Sequence, residues 1–457
     1  MHLPWMGHLA VTLAPSVGFG PYPALLLMAA MVGFSLAVVC GLGTTQLARR
    51  TDVPRRLLDS RRVPSRGGPM STAEPVRVAL VVASPVPYHV PVYRALATHE
   101  DVELRVFFGS NEGVRSYTAG FGDESAVSWG RDLVEGYAYE WLPGAAQAEV
   151  QGGFLGLRGT GLERRLDVFA PHAIWVHGYS YLLTVRAIAH ALRRGIPVLV
   201  REEQTLLIPR RGPRSLMRAL VLRSLLRRVW ALAIGANSRA FFLHYGVPAE
   251  RLGQANYFSA LPLVARAPTP PTRLRVLFVG KLTEKKAPQG LVEAFAVALA
   301  DPDGIPSTLT IVGDGPLREP LERRVHELGI ADDVAFEGFV GRDELPAVLA
   351  RHDVFCLPSV GHETWGVVVA EAMAAGLVPV VSTRVGAAAD LVRDGWNGHQ
   401  FRSGDTMELA HALRDLARDP ARVAEMALRS RALVDGWNVD TAAEGVAALL
   451  RRMVGGR

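Results

Sequence analysis

The stretch from Val354 to Ser382 constrains the fold more than any other part of the chain. It opens with an apolar run of strand length, Val354-Phe355-Cys356-Leu357-Pro358-Ser359, and ends with a second one, Leu377 to Ser382. Between them lie a glycine-containing turn, His362-Glu363-Thr364-Trp365-Gly366, and a helical segment closed by Gly376. Strand, turn, helix and strand make one parallel crossover unit. The spacing predicts a helix starting near Trp365 or Gly366. Its N-terminus offers free N–H groups and partial positive charge, which suit an anion such as a diphosphate. Glu371 then lies about 7 Å along the axis at ~1.5 Å per residue. That offset suits a carboxylate accepting hydrogen bonds from a ribose, while Glu363, in the turn, faces whatever the phosphate carries.

The same alternation recurs through most of the 457 residues, a length that accommodates two domains. In the first half, strands are expected at Val76 to Val82, Leu104 to Phe108, Ala173 to His177 and Ile196 to Val200, with helices at Val90 to Ala97 and Tyr181 to Arg194. In the second, strands are expected at Leu274 to Val279, Thr308 to Val312 and Val334 to Phe336, ahead of the 354–382 unit that completes the sheet. Helices are expected to end near Leu299, to run from Leu317 to Leu328, and to follow the glycine turn at Gly386 as far as Arg393. Strands alternating with helices mean α/β architecture with parallel, doubly wound sheets. Ligands in such sheets collect beyond the strand C-termini. The proline-rich Leu261 to Arg273 reads as the linker. The expected organisation is residues 71–265 as an N-terminal domain, 272–436 as a C-terminal domain, and 437–457 as a helix crossing back to the first.

Residues 1–70 differ in kind. The first 48 contain no Asp, Glu, Lys or Arg, and Tyr22 to Gly43 is an uncharged run of about the ~20 residues that a bilayer-spanning helix needs. Seven arginines and two aspartates follow between Arg49 and Arg66, a local charge of +5 out of the chain's +6. The order of apolar run and arginines predicts a single anchor through residues 22–43, with the rest on the cytoplasmic face. A start at Met70 is the alternative, and would leave a cytoplasmic protein. Because the basic excess is confined to this segment, the chain does not read as a nucleic-acid binder. Cys40 and Cys356 both sit in apolar runs, which excludes a disulfide framework or a zinc site. A second arginine-rich stretch, Pro209 to Trp230, holds seven arginines and no acid. At 100° per residue Arg214, Arg218 and Arg228 cluster while Arg223 and Arg227 fall opposite, so there is no clean amphipathic face, and peripheral membrane docking by this helix stays a secondary reading.

Lysines in a loop at a strand C-terminus can aim at a phosphate as compact charges. Lys281 and Lys286, in Gly280-Lys281-Leu282-Thr283-Glu284-Lys285-Lys286, fit that role, and Lys285 is expected to face elsewhere. Three segments, Phe278-Val279-Gly280-Lys281 with Lys286, Val312-Gly313-Asp314-Gly315-Pro316-Leu317 and Phe336-Glu337-Gly338-Phe339-Val340, precede the pair Glu363 and Glu371. In that order and spacing they resemble family 4 retaining glycosyltransferases of the GT-B fold, which carry a Glu-x7-Glu signature. The resemblance covers about Leu274 to Gly398 closely and Val76 to Val264 more loosely.

It implies two Rossmann-like domains facing a cleft, and a sugar transferred from a nucleotide-sugar donor, UDP or GDP most commonly, to a saccharide or lipid-linked acceptor in surface polysaccharide or glycolipid assembly. It places Gly280, Lys281 and Lys286 at the donor diphosphate, Val340 near the base and Glu371 at the ribose. Glu363, Thr364, Trp365 and Gly366 go to the transferred sugar, so that Glu363, Lys281 and Lys286 carry the chemistry. No cofactor is implied. Asp301-Pro302-Asp303 is read as a turn, and no metal is expected. On the acceptor side the candidates are Tyr88, His89 and His177, each histidine alternatively a loop imidazole bonded to backbone. Here the chain departs from the family: Ser84-Pro85-Val86-Pro87 replaces a double glycine, and Arg201-Glu202-Glu203 stands where a histidine is common. A phosphorylase, a nucleotide-sugar epimerase and a non-catalytic scaffold subunit remain the alternatives on the same fold.

Overall fold

The computed structural model describes residues 74–115, 117–118, 126–127, 131–207, 211–259, 261, 269–361 and 363–455. The apolar run 22–43 with its arginines, most of the expected linker (262–268) and His362 lie outside them.

The first lobe is a seven-stranded parallel sheet of β1 (Val76–Val82), β2 (Val102–Phe108), β3 (Ala138–Trp141), β4 (Ala173–His177), β5 (Val198–Arg201), β6 (Trp230–Ala233) and β7 (Leu252–Gln254), ordered β3-β2-β1-β4-β5-β6-β7. Its helices are α1 (Val90–Ala97), α2 (Leu162–Phe169), α3 (Leu182–Arg194), α4 (Pro213–Leu226) and α5 (Ala236–His244). β1 is apolar at six of its seven positions and is buried along almost its whole length, as a strand covered on both faces by helices must be.

The second lobe repeats the plan with β8 (Leu274–Val279), β9 (Ser307–Val312), β10 (Val334–Gly338), β11 (Val354–Leu357), β12 (Val378–Ser382) and β13 (His399–Phe401), ordered β10-β9-β8-β11-β12-β13 and again all parallel. Around it lie α6 (Pro288–Leu299), α7 (Arg318–Glu327), α8 (Leu345–Ala350), α9 (Val367–Ala374), α10 (Ala388–Leu391), α11 (Thr406–Arg418) and α12 (Pro420–Val434). The 354–382 unit does not complete this sheet: β13 adds a sixth strand beside β12. Its three residues, His399-Gln400-Phe401, are too short and too polar to announce a strand.

In both sheets the order reverses beside the first strand, between β1 and β4 and between β8 and β11, and at such switch points the loops diverge and leave a crevice. The last helix, α13 (Val439–Gly455), buries Ala443, Val446, Ala447, Leu450 and Met453 in the core of the first lobe. Ion pairs from Glu444 to His99 and from Arg451 to Asp101 fasten its outer side.

Candidate active site

Four loops at the carboxyl edge of the second sheet are stitched into one surface by backbone hydrogen bonds. Gly280 N donates to Val312 O (2.9 Å), Leu282 N to Asp314 O (2.9 Å) and Gly313 N to Gly338 O (2.7 Å). Val360 N and Gly361 N both donate to Lys285 O at 3.0 Å, which ties the loop after β11 to the loop after β8. This use of its carbonyl leaves the Lys285 side chain exposed.

The turn before α9 is held from its other side. Gly386 N donates to Glu363 O (2.9 Å) and Ala387 N to Trp365 O (2.8 Å). A methyl group at Gly386 would lie 2.0 Å from Thr364 O, so only glycine permits the approach. Gly366 stands at φ +90° and breaks the chain direction, so the helix begins at Val367, slightly later than the sequence suggests.

Within this frame Lys286 Nζ meets Glu363 Oε2 at 2.5 Å, with both side chains largely buried. The next residue, Ala287, is held at φ +50°, a left-handed conformation that costs a non-glycine residue on the order of 1 kcal/mol and fixes how the chain leaves Lys286 for α6. Lys281 sits in the same loop, and burial brings its ammonium down to about 8. Glu371 lies four residues into α9, about 6 Å along the axis. It is only 5% exposed, and burial raises its pKa while Arg342 Nη2, 3.7 Å from Oε1, pulls it back. Arg342 was not singled out in the sequence, although it is the only cation in the loop between β10 and α8. Val340, in that loop, is half-buried against the lobe's core, whereas its neighbour Phe339 is 78% exposed.

The Trp365 ring is 3% exposed, stacks on Trp437 with centroids 6.0 Å apart, lies 6.1 Å from the Tyr257 ring, and covers Gly235 of the first lobe. A large ring beside a backbone with no Cβ fills the seam between lobes. Polar contacts continue that seam. Both Asp390 oxygens accept from Ala236 N, at the start of α5 (3.0 and 2.9 Å), Asn237 Nδ2 donates to Gly386 O (3.0 Å), and Arg384 donates to Leu207 O.

On the first lobe, the loops after β1, β4 and β5 bring Tyr88, His89 and His177 into one small pocket with Arg201 and Tyr257, and α13 supplies Ala442 and Val446 to its wall. The polar groups largely satisfy one another. Arg201, which can only donate, bonds His89 Nε2, so that nitrogen is the acceptor and the ring is neutral. Burial and then the Arg201 charge hold His89 down at about 4, and burial with the neighbouring His89 and Arg201 holds His177 well below its ordinary value. Tyr257 donates to Glu203. Burial would raise Glu203, but the Arg201 charge and the Tyr257 hydroxyl pull it down. The Arg201 guanidinium lies 4.6 Å over the Tyr257 ring. Tyr257 was missed in the sequence because nothing near it marks a site. Glu202, beside this cluster, is raised to about 7 chiefly by burial. Its carbonyl accepts from Ser238 Oγ at 3.0 Å, so the first turn of α5 touches both the β5 loop and Gly386.

Asp301 and Asp303 hold no metal-like cluster. Asp301 accepts from Arg418 Nε (2.6 Å), which makes this a fastened turn. Among the described residues no group of three or more His, Cys, Asp or Glu side chains is arranged to bind a metal.

Residues 273–419, the bulk of the second lobe, match the family described as "Glycosyl transferases group 1". That lobe is therefore similar in sequence to the group 1 glycosyltransferases. The chain is 38% identical over 179 residues to 2-deoxystreptamine glucosyltransferase of Streptomyces kanamyceticus, covering 39% of this chain and 45% of that one. It is 38% identical over 154 residues to a GDP-mannose-dependent alpha-(1-6)-phosphatidylinositol monomannoside mannosyltransferase of Mycolicibacterium smegmatis, covering 32% and 40%. It thus spans less than half the length of these relatives. Among solved structures, Anabaena Alr3699/HepE in complex with UDP superposes with a TM-score of 0.61 at 20% identity, over 82% of this chain and 100% of that one. The lipopolysaccharide outer core galactosyltransferase WaaB gives 0.62 at 14%, over 82% and 99%. Both establish the shared fold, two parallel-sheet Rossmann-like domains.

Proposed function

We propose that this chain is a retaining glycosyltransferase that moves a sugar from a nucleotide-sugar donor to a saccharide or lipid-linked acceptor. The observation that carries the reading is the Lys286–Glu363 pair at the turn before α9, with buried Glu371 on that helix and Lys281 in the loop that carries Lys286, inside the lobe that matches the glycosyltransferase family. Partial positive charge at a helix N-terminus and two lysines suit a diphosphate, and a buried carboxylate one turn further suits two ribose hydroxyls.

In transfer, the bond from the anomeric carbon to the diphosphate oxygen breaks and a bond to the acceptor oxygen forms on the same face. Negative charge grows on the departing diphosphate, where Lys281, Lys286 and the α9 N–H groups would stabilise it. The acceptor's proton passes to that phosphate, so no separate protein base is needed. In the unliganded site Glu363 holds Lys286; an arriving diphosphate competes for the ammonium and leaves Glu363 to accept from sugar hydroxyls. The step needs no resident cofactor or metal. Two relatives support the donor class by their names: one is GDP-mannose-dependent, and one solved neighbour was crystallised with UDP.

We further place the acceptor in cell-surface polysaccharide or glycolipid assembly at the cytoplasmic face of the membrane, with residues 22–43 as the tether. The support is the uncharged run followed by arginines. No helix among the described residues is long and apolar enough to cross a membrane. Turnover of UDP- and GDP-sugars by the intact chain, with the product's anomeric configuration read by NMR, tests the proposal. Retained configuration, and loss of turnover in Glu371→Ala and Lys286→Ala, are expected. Near-normal turnover in either variant refutes that residue's role, and inverted configuration refutes the retaining mechanism.

A further inference from the structure

One face of the first lobe is apolar and cationic in a way the donor site does not use. From Gln204 to Ala249 the chain has eight arginines and no aspartate or glutamate. In the middle of this stretch α4 turns Val221, Leu222, Leu225 and Leu226 into the lobe. Its outward residues are unusual for a helix in contact with water: Leu216 is 70% exposed, Leu220 63% and Met217 42%. Other large exposed apolar residues, such as Val168 and Leu428, stand singly.

The sequence shows no clean amphipathic face, and the burial of Val221, Leu222, Leu225 and Leu226 is what fixes the outward side. At 100° per residue, taking Leu216 as zero, Arg227 falls at about 20°, Leu220 at about 40°, Met217 at about 100° and Arg223 at about 340°. Leu216, Leu220 and Met217 therefore form the outward stripe over the first turns, and Arg223 and Arg227 continue it. Arg211 precedes the helix and Arg228, at about 120°, flanks Met217, both exposed, whereas Arg214, at about 160°, lies on the side of Arg218. Arg218 is turned inward, its guanidinium 6.0 Å from the Tyr245 ring. Among the described residues Arg214, Arg223, Arg227 and Arg228 form no ion pair with a carboxylate.

We propose that this face of α4, led by Leu216, Met217 and Leu220 and bordered by Arg211, Arg223, Arg227 and Arg228, seats the first lobe on an anionic phospholipid bilayer. The side chains that stand out form a convex ridge on one helix. A ridge of leucine and methionine enters the headgroup boundary, where arginine stems lie along apolar surface and their guanidinium groups meet lipid phosphates. The charge complementarity selects anionic over neutral lipid. The position is functional as well. α4 follows the loop from the carboxyl end of β5, and that loop contacts the second lobe through Leu207 and Arg384. A bilayer under α4 therefore lies beside the cleft. This surface shares no residue with 22–43 or with the proposed donor site.

The test uses the full chain carrying Cys40→Ser, with an environment-sensitive fluorophore on Met217→Cys; the remaining Cys356 is buried and does not compete for label. Vesicles of phosphatidylcholine with phosphatidylglycerol are compared with phosphatidylcholine alone. The emission at 217 is expected to move to the blue and brighten severalfold with anionic vesicles and to stay unchanged with neutral ones. A label on Leu428→Cys, on α12, is expected to stay unchanged with both. Replacing Arg223, Arg227 and Arg228 by Gln is expected to abolish the shift. The proposal is overturned by an unchanged label at 217 on vesicle-bound protein, by an equal shift with neutral lipid, or by a shift that needs protein concentration and no vesicles. The last result assigns the face to a second copy of the chain. Because the label reads α4 alone, attachment through residues 1–70 does not mimic the expected result.

Discussion

Burial leaves Lys281 with a pKa of about 8, close enough to working pH that its charge is itself a variable. A diphosphate bound beside the ammonium favours the charged form, so the free protein must be protonated, or become so, to bind. At pH 7 about nine-tenths of the unliganded protein carries the charge, and at pH 9 about one-tenth does. If binding requires it, the donor dissociation constant rises roughly tenfold between those values, about 1.3 kcal/mol. Calorimetric titration of a nucleoside diphosphate across this range reads the change directly. Lys281→Arg keeps its charge and is expected to flatten the profile near the low-pH affinity. Lys281→Met is expected to be flat and weak. A profile unchanged in Lys281→Arg, or a flat profile in the unaltered chain, refutes the assignment of Lys281 to the diphosphate.

Other perturbations test the frame around the site. Asp390→Ala removes the carboxylate that caps the start of α5 across the seam, and is expected to cost about 1 kcal/mol in urea unfolding and to increase proteolysis between the lobes. Trp365→Ala is expected to cost about 3 to 5 kcal/mol of stability, measured by denaturant midpoint, without changing which donor sugar is preferred. His89 lies below its ordinary 6.5, at about 4, so the stability it contributes is complete above pH 6.5 and is lost as pH falls toward 4. Between pH 7 and 5 that loss amounts to about 2 kcal/mol, and unfolding of His89→Gln is expected to be less acid-sensitive over this range.

The parts of this molecule legible in its sequence are those where local chemistry and tertiary structure agree. The apolar runs that became β1, β4, β8, β11 and β12 are buried on both faces, so their composition announces them. The glycines of the donor loops are there because backbones pass close together, and the turn at Gly386 is readable for that reason. Lys286 and Glu363 were both named for the site, and the fold brings their side chains into contact across 77 positions of sequence. What was not legible depends on direction or on distant partners. Sequence spacing says nothing of which way the Trp365 ring turns, and Gly235 in the other lobe receives it. Tyr257 acquires its place only through His89, Arg201 and Glu203, which arrive from other loops. The outward stripe of α4 became visible only once Val221, Leu222, Leu225 and Leu226 fixed its inward side.

The central claim is that the second lobe binds a nucleotide sugar with Glu371 on the nucleotide. The most direct measurement is the melting temperature of the intact chain against a panel of UDP- and GDP-sugars, repeated with Glu371→Ala. A ligand that binds only the folded state stabilises it by RT ln(1 + [L]/Kd), about 2.7 kcal/mol at a hundredfold excess over Kd. At least one donor is expected to raise the melting temperature of the unaltered chain, and the rise is expected to vanish in Glu371→Ala whatever that variant's own starting stability. A melt that no nucleotide sugar moves, or a variant that responds as the unaltered chain does, contradicts the account.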